Sequence, residues 1–73
     1  MVQYFVIGRA AKWWVGLDGC DYGPYASREE AVAAAICSAE ICVAEGAAAK
    51  VQAENRLGGF VTLWTGAGSR RAA

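Results

Sequence analysis

The sequence predicts an α+β fold of ββαββ order, with one helix packed on one face of a four-stranded sheet. Three observations carry that expectation. Only one stretch, Ser27 to Gly46 (S-R-E-E-A-V-A-A-A-I-C-S-A-E-I-C-V-A-E-G), is long enough for a helix. Two β-rich runs precede it and two follow it. Turn-forming residues separate the runs, so each half reads as a hairpin. The expected domain spans residues 1–65, and residues 66–73 (G-A-G-S-R-R-A-A) form a C-terminal tail with nothing to bury.

Gln3 to Arg9 is rich in aromatic and β-branched residues (Tyr4, Phe5, Val6, Ile7), which favours a strand over a buried helical piece. Gly8 to Ala11 make a short connection whose residues are not the favoured Asn-Gly pair. Lys12 to Asp18 alternates, with Trp13, Val15 and Leu17 on one face and Trp14, Gly16 and Asp18 on the other. Gly19 to Ala26 (G-C-D-Y-G-P-Y-A) reads as the loop into the helix, since it holds two Gly, an Asp and the single Pro of the chain. Tyr25, just before the cap, is placed to fold over the sheet as an anchor.

Ser27 and Glu30 form a capping box, in which hydroxyl and carboxylate each satisfy a backbone N–H of the first turn. Glu29 and Glu30 sit at the positive end of the helix dipole, and Gly46 is suited to a left-handed C-terminal closure. On a helical wheel Val32, Ile36, Ala39 and Val43 fall within about 60° of each other, with Ala35 beside them. That stripe is expected on the sheet. Ile41 points outward, flanked by Ala34, Cys37 and Ala44. Beyond the helix, Lys50, Gln52 and Glu54 alternate with Val51 and Ala53; Asn55 to Gly59 make a turn; Phe60 to Thr65 form the last strand.

One helix covers one side of such a sheet. If Val15, Leu17, Val51, Val61 and Leu63 lie beneath it, the other side carries Trp14, Phe60, Trp64 and one member of each pair in Tyr4–Val6 or Phe5–Ile7. Large aromatics left to water beside Lys50, Gln52 and Glu54 point to a covered face. The candidate interface is therefore Trp14, Phe60 and Trp64, with Ile41 and Cys37 as a second patch on the outer helix. The expected partner is a second copy of the chain, or another protein that remains unidentified.

Bulk composition agrees with a helper of this kind. Seventy-three residues lie near the size at which a lone hydrophobic core suffices. With no His and three Cys lacking a C-x-x-C pair, a structural zinc is not expected. Cys37 and Cys42 differ by about 140° around the helix and cannot bridge each other. An odd Cys count suits a reducing compartment, and no leader or membrane-length apolar run is legible, so a cytoplasmic setting is expected. Seven basic residues balance seven acidic ones, leaving no global field toward nucleic acid or an anionic membrane.

Catalysis is not expected. No His is present to activate Ser or Cys, and Asp18 and Asp21 around Cys20 read as turn formers before they read as an acid–base pair. Gly66-Ala67-Gly68-Ser69 lacks the Lys, the spacing and the following helix of a phosphate loop. No cofactor is implied. The alternative function is a single-stranded or RNA–DNA hybrid nucleic-acid module, with Trp14, Phe60 and Trp64 stacking bases and Arg9, Lys12, Lys50 and Arg56 near phosphates.

From Trp13 to Thr65 the chain resembles a group of small bacterial strand–strand–helix–strand–strand domains of unknown function. In these a W-x-V strand precedes G-x-[YF]-x-[ST]-x-E-E-A, matched here by Trp13 or Trp14 with Val15, then Gly23, Tyr25, Ser27, Glu29, Glu30 and Ala31. That resemblance implies a fold and no reaction. The segment G-P-Y-A-S-R-E-E-A is also similar to the RNA–DNA hybrid-binding domain at the N-terminus of some ribonucleases H, which implies duplex binding by a small sheet and its helix. The helix of that family is basic and bears an aromatic, whereas this one carries Glu29, Glu30, Glu40 and Glu45.

Overall fold

The computed structural model describes residues 1–67, and in them a single helix lies on a five-stranded mixed sheet. The strands are β1 (Val2–Arg9), β2 (Lys12–Leu17), β3 (Cys20–Tyr25), β4 (Ala49–Glu54) and β5 (Phe60–Gly66), and the helix α1 is Arg28–Ala44. Their order across the sheet is β3-β2-β1-β4-β5. All neighbours are antiparallel except β1 and β4, which run parallel in the centre.

The strand count corrects the four expected. Cys20–Tyr25 is an edge strand rather than a loop, because Asp18 (φ 53°) and Gly19 (φ 80°) make a two-residue turn that pairs Leu17 with Cys20. Both central residues have positive φ, as in the type I′ turns that suit the twist of a hairpin. Pro24 is tolerated because an edge strand leaves one side of its backbone unpaired. The register shifts between Trp13 and Val15, a bulge beside Gly23 and Pro24, whose peptide bond is cis. The first hairpin turns the same way, but on Ala10 (φ 55°) and Ala11 (φ 64°).

Helix α1 begins and ends as its sequence dictates. Ser27 is the N-cap, its hydroxyl accepting from the Glu30 N–H at 3.1 Å. The Glu30 carboxylate accepts from Ala26 N–H at 3.3 Å, one residue earlier than a reciprocal box requires. At the other end Gly46 (φ 99°) donates to the Val43 carbonyl and Ala47 to that of Cys42, the paired bonds of a Schellman closure.

The core is thin and built from small side chains: Ala31, Ala35 and Ala39 from the helix, Tyr4, Val6 and Val15 from β1 and β2, and Ala49, Val51 and Ala53 from β4. Ala at i, i+4 and i+8 lets the helix settle over β1 and β4. The buried stripe is thus rotated from the expected one. Ala35 and Ala39 belong to it, whereas Val32, Ile36 and Val43 pack against its flanks. Strand β5 continues to Gly66, paired with Ala49, so the tail starts later than residue 66; its remainder, 68–73, lies outside the described residues. No helix among the described residues is long and apolar enough to cross a membrane.

Candidate functional site: the uncovered sheet face

Register decides which side chains share the face opposite the helix. Tyr4, Val6, Val15 and Val51 are buried under α1, so their neighbours Phe5, Ile7, Trp14, Lys50, Gln52 and Glu54 stand on the other side. The ambiguity between Tyr4–Val6 and Phe5–Ile7 resolves with Phe5 and Ile7 outside. One row across this face runs Gly16, Phe5, Gln52, Thr62; the next pairs Ile7 with Trp14 and Glu54 with Phe60. Phe5 and Phe60 make an edge-to-face contact, their ring centroids 5.4 Å apart at 76°, a geometry the ring quadrupoles favour. Phe60 remains 45% exposed.

Polar groups on and around these rings are mostly partnered. Gln52 Nε2 donates to Gln3 Oε1 at 3.3 Å, and Glu54 Oε1 accepts from the Gly8 N–H at 3.3 Å. Arg9 and Asp21 form an ion pair at 3.5 Å, exposed enough to add little stability. Lys12 and Lys50 complete a face of three basic and two acidic residues (Arg9, Lys12, Lys50; Asp21, Glu54).

Trp64 is not part of it. It was expected beside Phe60 by strict alternation along β5, but a bulge pairs Val51 with Trp64 and Gln52 with Thr62, leaving Leu63 as the extra residue. The parity of the strand changes there, and Trp64 packs against the core on the helix side. Gly66 makes room for it: a Cβ there would lie 2.6 Å from Trp64 Cη2 and 2.8 Å from Val43 Cγ2. Val61 and Leu63, expected under the helix, are 41% and 39% exposed, because α1 is centred on β1 and β4 and β5 is an edge. Ile41 (57% exposed) and Cys37 do lie on the outer helix, across the molecule from Trp14 and Phe60. The five residues proposed from sequence therefore divide among three places.

Among the described residues, two clefts lie away from the centre of this face. One, of about 240 Å³, opens between α1 and the β2–β3 hairpin and is lined by Tyr4, Tyr22, Tyr25, Leu17, Ala34 and Ser38, with Val15 below. Tyr4 is nearly fully buried, and its hydroxyl is hydrogen-bonded to the Cys42 thiol, O···S 3.1 Å. Burial, then that bond, push its pKa up to about 12. The second cleft, about 450 Å³, lies among Trp13, Arg28, Glu54, Asn55 and Arg56. The three thiols are unpaired, and no cluster of Cys, Asp or Glu among the described residues is arranged to hold a metal. No family model, curated protein or solved structure matches the chain.

Proposed function

We propose that this is a small, non-catalytic interaction domain that self-associates through the uncovered face of its sheet. The observation that carries the reading is the group Phe5, Ile7, Trp14 and Phe60, displayed on a sheet whose opposite side alone bears a helix. Burying a ring of this kind contributes roughly 2–3 kcal/mol, large beside the stability of a domain whose largest fully buried side chains are Val6 and Val51. Strand spacings of about 4.8 Å and 3.3 Å per residue give a face of roughly 24 by 20 Å, so two copies would bury about 1,000 Å² in total. That area suits a reversible dimer. Three unpaired thiols support a cytoplasmic setting for it.

Light scattering on a sizing column under reducing conditions tests the reading. The mass should rise toward twice that of the chain with concentration, and Trp14→Ser and Phe60→Ser should each return it to the monomer while the fold persists. A monomer at all concentrations, or a dimer indifferent to both substitutions, overturns it.

A further inference from the structure

We infer that the cleft between α1 and the β2–β3 hairpin is a binding site for a neutral, planar, ring-bearing small molecule. It is a consequence of the local sequence. The Ala31, Ala35, Ala39 stripe seats the helix over β1 and β4, and the helix residues that face β2 and β3 are the small Ala34 and Ser38. Val15, buried, and Leu17, half-buried, form the floor beneath them. The outer wall comes from β3. Tyr22 and Tyr25 are three residues apart and would face opposite ways along a regular strand. The bulge between them restores both to the helix side, Tyr22 opposite Val15 and Tyr25 opposite Trp13. Re-aiming a side chain is what bulges near binding sites do.

The lining sets the ligand class. Its residues are aromatic, aliphatic or hydroxyl-bearing (Tyr22, Tyr25, Ser38), and none is charged. An ionic ligand would lose its hydration there without a counter-charge. The hydroxyl of Tyr4 is engaged by Cys42, which leaves its ring as the part turned to the cleft. An apolar cavity of about 150 Å³ holds benzene; at about 240 Å³ this one has room for a bicyclic ring carrying a donor or acceptor. The site opens on the helix side of the sheet, so its occupancy and the proposed dimer are separately measurable.

Indole, neutral and bicyclic with one N–H donor, is the probe. Titrated into ¹⁵N-labelled full-length protein, it should give saturable amide shifts at Tyr22, Tyr25, Ala34 and Ser38. Ala34→Leu, which fills the cleft from the helix, should weaken binding by at least about tenfold; Ser38→Leu does the same should Ala34→Leu perturb the fold. Indole-3-carboxylate, the anionic counterpart, should bind more weakly than indole. No saturable shift up to the solubility of indole, shifts centred elsewhere, or undiminished binding to a folded cleft-filling variant overturns the assignment.

Discussion

The turn at Ala10 and Ala11 is the place where the sequence works against the fold, and its repair gives a stability change that can be worked out in advance. Both residues have positive φ, 55° and 64°, while the neighbouring hairpin makes an equivalent turn with Asp18 and Gly19. An L-residue in the left-handed region costs roughly 1–2 kcal/mol, a cost Gly escapes while losing about 0.5–1 kcal/mol in unfolded-chain entropy. Replacing Ala11 by Gly should thus gain about 0.5–1 kcal/mol, and Ala10 by Asn, which tolerates the region, about 0.5 kcal/mol more. The total of about 1–1.5 kcal/mol is a sizeable part of the roughly 4–11 kcal/mol expected for a chain of this length. It corresponds to a melting temperature raised by about 4–12 °C. Far-UV circular dichroism under heat and urea, at one fixed protein concentration, reads it; the urea midpoint should rise with the m-value unchanged. Gly19→Ala supplies the reciprocal control. An added Cβ there meets nothing within 4 Å, so its expected loss of about 1 kcal/mol is backbone cost alone. Should Ala10→Asn/Ala11→Gly leave the midpoint unmoved or lower it while Gly19→Ala destabilises, the left-handed turn at Ala10–Ala11 is refuted.

Three further outcomes follow from the core and the faces. Because the folded pKa of Tyr4 is raised to about 12 from an ordinary 10, the unfolded chain releases that proton first as pH rises. Stability is therefore intact below about pH 10 and falls between 10 and 12, by as much as about 2–3 kcal/mol; urea titrations against pH should show this slope shrink in Tyr4→Phe. Gly66→Ala forces a Cβ into Trp64 and Val43 and should cost about 1–3 kcal/mol in the same assay, with a Trp fluorescence change. Single-stranded or hybrid oligonucleotide should leave Trp fluorescence unchanged even at low salt, since Asp21 and Glu54 offset the basic residues of the open face; a salt-sensitive change would favour the nucleic-acid alternative.

What was legible in the sequence follows from how local each signal is. The cap at Ser27, the closure at Gly46 and the Asn55 turn are set by residues within a few positions of one another. In that turn Asn55 Oδ1 accepts from the N–H groups of Leu57 and Gly59 at 2.9 and 3.0 Å, as an Asn so placed is expected to do. Long-range packing was less legible. Apolar residues surround α1 so fully that several stripes compete, and the choice went to the small Ala stripe because Ala49 and Ala53 on β4 allow close approach. The aliphatic stripe, more hydrophobic taken alone, could not approach as closely.

The two bulges explain the remaining differences and tie them to function. Alternation carries face assignments only while the period stays at two, and one extra residue inverts everything beyond it. At Leu63 that inversion takes Trp64 out of the open face and sets it beside Val43, leaving Phe60 to meet Phe5. On β3 the bulge marked by Gly23 and Pro24, which read as a loop, turns both Tyr22 and Tyr25 toward the helix and creates the wall of the cleft. Both edge strands are bent by these irregularities, which makes edge-to-edge pairing a poor route to association. The regular alternative is the central face of β2, β1 and β4, where Ile7 pairs with Trp14 and Phe5 with Gln52 without a register shift. The irregularities at the margins therefore favour the contact at the centre. Deleting Leu63, the extra residue of the β5 bulge, should make Thr62 and Trp64 consecutive and keep Trp64 opposite Val51 on the helix side. Self-association through the central face should then persist with Trp64 still in the core, an outcome that light scattering and urea titration of one variant would read together.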